Sequence, residues 1–272
     1  MNAQDADRVF AGSIPQIYER YLVPLIFEPY AVDLASRVML RHPSQVLEIA
    51  AGTGVVTRHL ASVLPPEVSI VATDLNQPML DHAAAIGTAR PIEWRLADAM
   101  QLPFSDGAFD VVVCQFGTMF FPDKARAFSE ARRVLRPDGA FIFNVWDRID
   151  QNEFADIVIR ALEARFPKDP PGFLARIPHG YHDPSAIADD LSLGGFAPPP
   201  EVTTLAERSR ADSARIPALA YCQGTPLRSE IEARGASCLI EATDIATVAI
   251  ERDFGSGAVD GKIQAHIFSI GR

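Results

Sequence analysis

The chain has 272 residues, 48% of them hydrophobic and 22% charged, which is enough for one good core plus an appendage and too polar for a membrane protein. The formal net charge of −10 argues against a nucleic-acid partner or an anionic lipid surface, because phosphate contacts need a basic face. Three scattered cysteines, Cys114, Cys222 and Cys238, make neither a disulfide framework nor a zinc site, so a cytoplasmic location and a small-molecule partner are expected, with oligomeric state unreadable.

The start, Met1 to Arg8, is polar with two Asp and does not read as a signal peptide. No apolar run reaches the roughly 18–20 residues of a membrane span. Residues Ile14 to Leu22 read as a short helix bearing Tyr18 and Tyr21; Pro24 interrupts, and a second helix runs from about Phe27 to Leu40. Ser44 to Ile49 is the first strand. It runs into Ala50-Ala51-Gly52-Thr53-Gly54 and then a helix, Val55 to Leu64. Strand, glycine turn and helix in that order make a nucleotide pocket: glycine permits close backbone approach, and the helix start presents unpaired N–H groups.

Val68 to Thr73 is a β-branched, buried strand ending at Asp74, and Asn76 caps a helix through Ala85. Ile92 to Ala97 is the third strand, ending at Asp98, and Phe109 to Cys114 the fourth. Asp123 to Leu135 is helical, Arg136-Pro137-Asp138-Gly139 is a turn, and Ala140 to Val145 is the fifth strand. Such alternation predicts an α/β fold with a doubly wound parallel sheet and helices on both faces.

The second half is less regular. Glu153 to Phe166 is an amphipathic helix, and Pro167 to Pro184 a loop long enough for a lid. Ser185 to Leu193 is helical, and Pro198-Pro199-Pro200 punctuates the chain. Glu201 to Glu207 is a strand, Ser209 to Ala220 a helix, Pro226 to about Arg252 one long helix containing Gly235, and Lys262 to Ile270 the final strand.

Ligands of open α/β sheets sit beyond the carboxyl ends of the strands, and three such ends carry acids: Glu48, Asp74 and Asp98. The dinucleotide fingerprint needs a third small residue where Thr57 stands, and a carboxylate inside the first strand suits a cationic ligand better than a pyrophosphate. An oxidoreductase using a nicotinamide cofactor is therefore the weaker enzymatic reading, and a non-catalytic ligand binder remains a third.

With Glu48-Ile49-Ala50-Ala51-Gly52-Thr53-Gly54, the strand-end acids and the segment FPDKARAFSEARRVLRPDGAFIF, the chain resembles the class I S-adenosylmethionine (SAM)-dependent methyltransferases, of the UbiE-like, type 11 small-molecule group. The resemblance covers about residues 15 to 146 and the last strand. It implies a seven-stranded sheet whose last strand is antiparallel, a mainly helical insertion as cap, SAM as cofactor, and methyl transfer to a small-molecule acceptor. The implied SAM-binding core is 1–146, 199–207 and 260–272, including N-terminal cap helices within 13–41; the segments 147–198 and 208–259 are substrate-side insertions rather than an independent domain.

By the same resemblance, Glu48 organises the turn and favours the cationic end of the cofactor. Asp74 takes the ribose hydroxyls, while Asp98 with Ala99 and Met100 meets the adenine edge. Leu75 and Met79 sandwich the ring. Gln115 and Phe116 offer backbone carbonyls to the methionyl amino group, and Tyr21 is an aromatic over the cofactor or a core residue. Gly52 and Gly54 keep two of the motif's three glycine places. Ala50 occupies the first, so its backbone keeps a negative φ or brings a methyl group to the ligand. Asp147, after the fifth strand, and His179, in the lid loop with His182, are the candidate catalytic groups. A loop histidine titrates near neutrality and can serve as general base, or is simply solvated. The His179/His182 pair lacks further ligands, so no metal is expected. Phe154, Phe166, Phe173 and Phe196 point to an apolar acceptor or to core packing.

Overall fold

The computed structural model describes residues 7–197, 199–235 and 237–272. The expectations touching residues 1–6, Pro198 and Ala236 lie outside these. Seven strands, β1 (Gln45–Ile49), β2 (Ser69–Asp74), β3 (Glu93–Leu96), β4 (Phe109–Gln115), β5 (Leu135–Trp146), β6 (Glu201–Ala211) and β7 (Val259–Gly271), form one sheet in the order β3-β2-β1-β4-β5-β7-β6. Neighbours from β3 to β5 pair in parallel, and the last strand is antiparallel. The order reverses between β1 and β4, the switch point at which open α/β sheets leave a crevice.

The helices, in chain order, are α1 (Ile14–Ile17), a wide π-helical stretch (Tyr18–Phe27), α2 (Glu28–Met39), α3 (Val55–Val63), α4 (Gln77–Ile86), α5 (Lys124–Val134), α6 (Glu153–Arg165), α7 (Phe173–Arg176), α8 (Pro184–Leu193), α9 (Arg215–Gln223), α10 (Leu227–Glu232) and α11 (Cys238–Phe254). The chain divides into two compact units: Met1–Glu28, Trp146–Gly180 and Ala206–Gln264 form one; Pro29–Val145, Tyr181–Leu205 and Ala265–Arg272 form the other.

In the second of these units β1 is buried along Val46, Leu47, Glu48 and Ile49, the continuous burial of a strand covered on both faces. Aromatic rings fill the space beside β5: Phe141 stacks on Phe143 at 4.7 Å, Phe143 on Phe268 at 4.9 Å, and Phe128 lies 5.6 Å from Phe143. Asp123 caps α5 by accepting the Arg126 N–H at 2.9 Å. In the first unit α11 packs against α6 and α9, with alanines Ala218, Ala242 and Ala246 fully buried, and Gly261 leaves room for the Phe154 ring. Phe154, Phe173 and Phe196 are core residues, so the hint of an apolar acceptor that they carried is withdrawn.

Several boundaries differ from the reading of the sequence. Pro24 does not interrupt the N-terminal helix. It sits inside the π-helical stretch, where hydrogen bonds span five residues, as from Glu28 N–H to Val23 O, and the wider turn absorbs a residue that lacks an N–H. Arg136 to Gly139 is not a separate turn but the start of β5, with a register shift opposite Phe109 and Val111. Ser209 belongs to β6, which runs on to Ala211. The expected long helix is two, α10 and α11, with Gly235 between them at φ +147°, a value outside the helical region.

Candidate functional site

In the second unit the tips of β1, β2 and β4 gather around the glycine turn. Gly52 and Gly54 both have positive φ, +57° and +83°. A side chain at Gly54 would meet the Trp94 ring at 2.8 Å, so the tight turn requires glycine twice over, for conformation and for space. Ala50 does not keep a negative φ: it stands at +55°, in the left-handed region a non-glycine residue enters only at a cost. Its methyl group has room because position 117 is glycine. A Cβ added there would lie 2.5 Å from that of Ala50. Phe116, at the tip of β4, is also left-handed at φ +48°. Its N–H donates to Asn144 Oδ1 at 2.9 Å, and Tyr30 meets its ring edge-on at 5.3 Å. Two left-handed non-glycine residues thus close the switch point from either side, and strain of this kind concentrates where a backbone is shaped for a ligand.

The acids are fixed by the same turn. Glu48 is 1% exposed and accepts the Thr57 hydroxyl at 2.5 Å. Burial pushes its carboxyl up to about 8, against the pull of Thr57 and Arg58, and the charge of Asp74 pushes the same way. Asp74 is buried and bridges the turn: Oδ2 accepts the Gly52 N–H at 2.9 Å and Oδ1 the Asn76 N–H at 2.7 Å. Burial raises its pKa too, opposed by those N–H groups. Oδ1 also accepts Asn76 Nδ2 at 3.3 Å, whereas Oδ2 accepts Gly52 and has a second lone pair, so Asp74 can hold the turn and still accept from a ligand there. Asp98 Oδ1 accepts the Met100 N–H at 2.9 Å, which gives this acid the turn-forming role beside any ligand role. Leu75 is exposed at 45%, Met79 is buried on α4, and Ala99, Met100 and Gln115 are half-buried.

The remaining predicted residues belong to the first unit. Tyr21 is half-buried with the Arg20 guanidinium 5.0 Å over its ring. Asp147 is buried with both oxygens engaged, Oδ1 by the Arg148 N–H at 2.7 Å and Oδ2 by Gln264 Nε2 at 2.5 Å. His179 is not a solvated loop residue: it is 6% exposed, and its Nδ1 lies 2.8 Å from the Asp147 carbonyl oxygen. A carbonyl only accepts, so Nδ1 carries a proton in this contact. Among the described residues no three His, Cys, Asp or Glu side chains form a group that could hold a metal ion.

Three residues with roles here escaped the sequence. Thr57 was read only as a departure from a fingerprint, yet it is the hydroxyl that binds Glu48. Trp94 covers Gly54. Asn144 could have been noticed as the lone amide in the apolar run Phe141-Ile142-Phe143-Asn144-Val145-Trp146, since a buried amide there must find a partner. Asn144 Nδ2, Thr118 Oγ1 and Thr53 Oγ1 are buried with no hydrogen-bond partner among the described residues.

A family model described as "Methyltransferase domain" matches residues 47–143. The chain is 40% identical over 114 residues to a demethylmenaquinone methyltransferase of Thermus thermophilus, covering 41% of this chain and 50% of the relative. It is 33% identical over 138 residues to a ubiquinone/menaquinone biosynthesis C-methyltransferase UbiE of Ectopseudomonas mendocina, covering 49% of each. The chain therefore spans about half the length of these curated relatives. Among solved structures, a phosphoethanolamine N-methyltransferase 2 of Haemonchus contortus, in complex with phosphomonomethylethanolamine and S-adenosylhomocysteine, superposes with a TM-score of 0.58 at 14% identity, covering 100% of this chain and 61% of that one. The YcgJ protein of Bacillus subtilis gives 0.56 at 17% identity, covering 90% and 98%. These two likenesses speak for the fold.

Proposed function

We propose, for a chain whose residues 47–143 belong to the methyltransferase domain family, that it binds SAM at the β1–β4 switch point and transfers its methyl group to a small-molecule acceptor. The observation carrying this reading is the pair of buried acids, Glu48 and Asp74, packed around the glycine turn with both carboxyls pushed up in pKa. Two buried acids beside each other, each harder to ionise than usual, favour a ligand that brings positive charge, and they disfavour a pyrophosphate. The orphaned Thr53, Thr118 and Asn144 atoms at neighbouring strand tips fit a polar ligand as well.

In this reading Asp74 accepts from the ribose hydroxyls, Asp98 with Ala99 and Met100 receives the adenine edge, and Leu75 and Met79 wall the ring. The Gln115 and Phe116 carbonyls take the ligand's ammonium, and Glu48 holds the turn through Thr57. When bound, SAM supplies an already activated methyl group, leaving the protein chiefly to bind and align. The left-handed backbone at Ala50 and Phe116 lets the main chain approach the ligand closely. The segments 147–198 and 208–259 select the acceptor. His179, whose Nδ1 faces the Asp147 carbonyl, is the candidate general base where the acceptor oxygen, nitrogen or carbon must lose a proton. Asp147 supports it as the anchor of that carbonyl. A cytoplasmic location agrees with three buried free cysteines, and among the described residues no helix is long and apolar enough to cross a membrane.

Isothermal titration with SAM and S-adenosylhomocysteine tests the reading, alongside fluorescence titration with NADH and NADPH. Binding of the first pair alone is expected. Binding of a nicotinamide nucleotide alone would transfer the assignment to an oxidoreductase. SAM binding without transfer to any of a broad panel of phenols, quinols and amines would favour a non-catalytic binder; one further fold neighbour is named a [4+2]-cyclase.

A further inference from the structure

We propose that Asn144 is a positioning residue for the amino-acid tail of the cofactor, acting through the left-handed turn at Phe116; this rests on the SAM reading above. A left-handed φ of +48° is rare for a bulky residue, and something must hold it. Asn144 stands opposite Gln115 in the β4–β5 register, is fully buried, and spends its Oδ1 on the Phe116 N–H at 2.9 Å. The other half of the amide, Nδ2, has no acceptor among the described residues. A buried amide in an apolar strand, half satisfied, is a costly group whose one protein bond goes to this turn.

On the other side, Gly117 lies against the Ala50 methyl and leaves no room for a side chain of its own. The turn is thus clamped between Asn144 and the β1 tip. Rotation about the Phe116 backbone swings the carbonyls of Gln115 and Phe116 relative to one another. Those carbonyls face the ammonium of the tail in the proposed site, whereas the adenosine half is met by Asp74 and Asp98. Loss of the Asn144 bond therefore loosens the grip on the tail and leaves the grip on adenosine.

Two ligands separate these halves: S-adenosylhomocysteine, which has the tail, and 5′-methylthioadenosine, which lacks it. Calorimetric titrations of wild type, Asn144→Ala and Asn144→Asp with both, beside thermal melts, make the test. For Asn144→Ala, S-adenosylhomocysteine affinity falls about tenfold, the scale of one buried hydrogen bond, while 5′-methylthioadenosine stays within about twofold. Asn144→Asp keeps an oxygen that accepts the Phe116 N–H, and holds S-adenosylhomocysteine affinity within about threefold of wild type or better. Where Asn144→Ala fails to fold, Asn144→Ser takes its place. Equal losses for both ligands, or an Asn144→Asp variant as weak as the alanine one, overturn the proposal while leaving the pocket standing. A wild-type protein that binds neither ligand overturns the pocket itself.

Discussion

Replacing Asp74 with alanine asks whether the acid proposed for the ribose is first of all a brace for the glycine turn. In the folded chain its two oxygens accept the N–H groups of Gly52, at 2.9 Å, and Asn76, at 2.7 Å. Alanine leaves both donors without that acceptor. A stranded buried donor costs about 1–3 kcal/mol, and because both sites are only partly buried the lower end applies, giving about 2–3 kcal/mol together. Against a typical domain stability of about 5–15 kcal/mol the variant still folds, but at a distinctly lower urea midpoint. Asp74→Asn keeps one acceptor oxygen and turns an amide nitrogen toward the other N–H, so it should lose about half as much. Urea titration without ligand gives the stability loss, and calorimetry with S-adenosylhomocysteine gives the binding loss on the same samples. Both should fall. An alanine variant with the wild-type urea midpoint and m-value would refute the bracing role, and one with unchanged ligand affinity would remove Asp74 from the site.

Other expectations follow from the same geometry. Glu48, raised to about 8, is largely protonated at pH 7, and a cationic ligand should drive off about one proton on binding. SAM titrations in buffers of different ionisation heat would reveal that release, and Glu48→Gln should abolish it. For the ligand-free protein the sign is fixed: an acid with a raised folded-state pKa adds stability that is complete below 4.5 and is lost as pH climbs through about 8. A melt series rising in stability across that window would contradict the assignment to Glu48. Gly117→Ala places a Cβ 2.5 Å from Ala50 Cβ and 2.6 Å from Cys114 Sγ, an overpacking that should cost about 1–3 kcal/mol and be partly rescued by Ala50→Gly; additive effects in the double variant would count against the contact. His179→Ala should leave S-adenosylhomocysteine affinity unchanged and lower kcat about 100-fold or more for an acceptor that must lose a proton. A falling cofactor affinity with intact kcat would reassign it to binding.

The parts of the fold that could be read from the sequence are those where one residue type answers one demand. The buried run of β1, the glycine turn, the strand-end acids and the Asp123 cap are of this kind. What escaped depends on relations between distant residues. Proline breaks a regular helix, but nothing near Pro24 announces that the turns around it widen. Gly235 inside a periodic pattern reads equally as a tolerated glycine or a break, and only the +147° backbone decides. Ala50 could take its left-handed form because Gly117, 67 positions on in the numbering, leaves the space. Phe116 carries no local signal for a positive φ, since the amide fastening it comes from the next strand in the sheet.

The rival reading with a nicotinamide cofactor turns on charge at this turn. A dinucleotide brings a pyrophosphate to the glycine loop, and the helix start that follows welcomes it only if no anion already occupies the ground. Here the main-chain N–H of Gly52 is taken by Asp74, and Glu48 sits beneath the turn with its proton held by burial. A pyrophosphate would lose that donor and face two acids whose ionisation it makes harder still. A sulfonium with an ammonium tail reverses each of these terms: it leaves Gly52 bonded to Asp74, draws the Glu48 proton off, and needs carbonyl oxygens rather than N–H groups. The left-handed turns at Ala50 and Phe116 matter for that last requirement, because they reshape the main chain at the tips of β1 and β4, where such acceptors must come from.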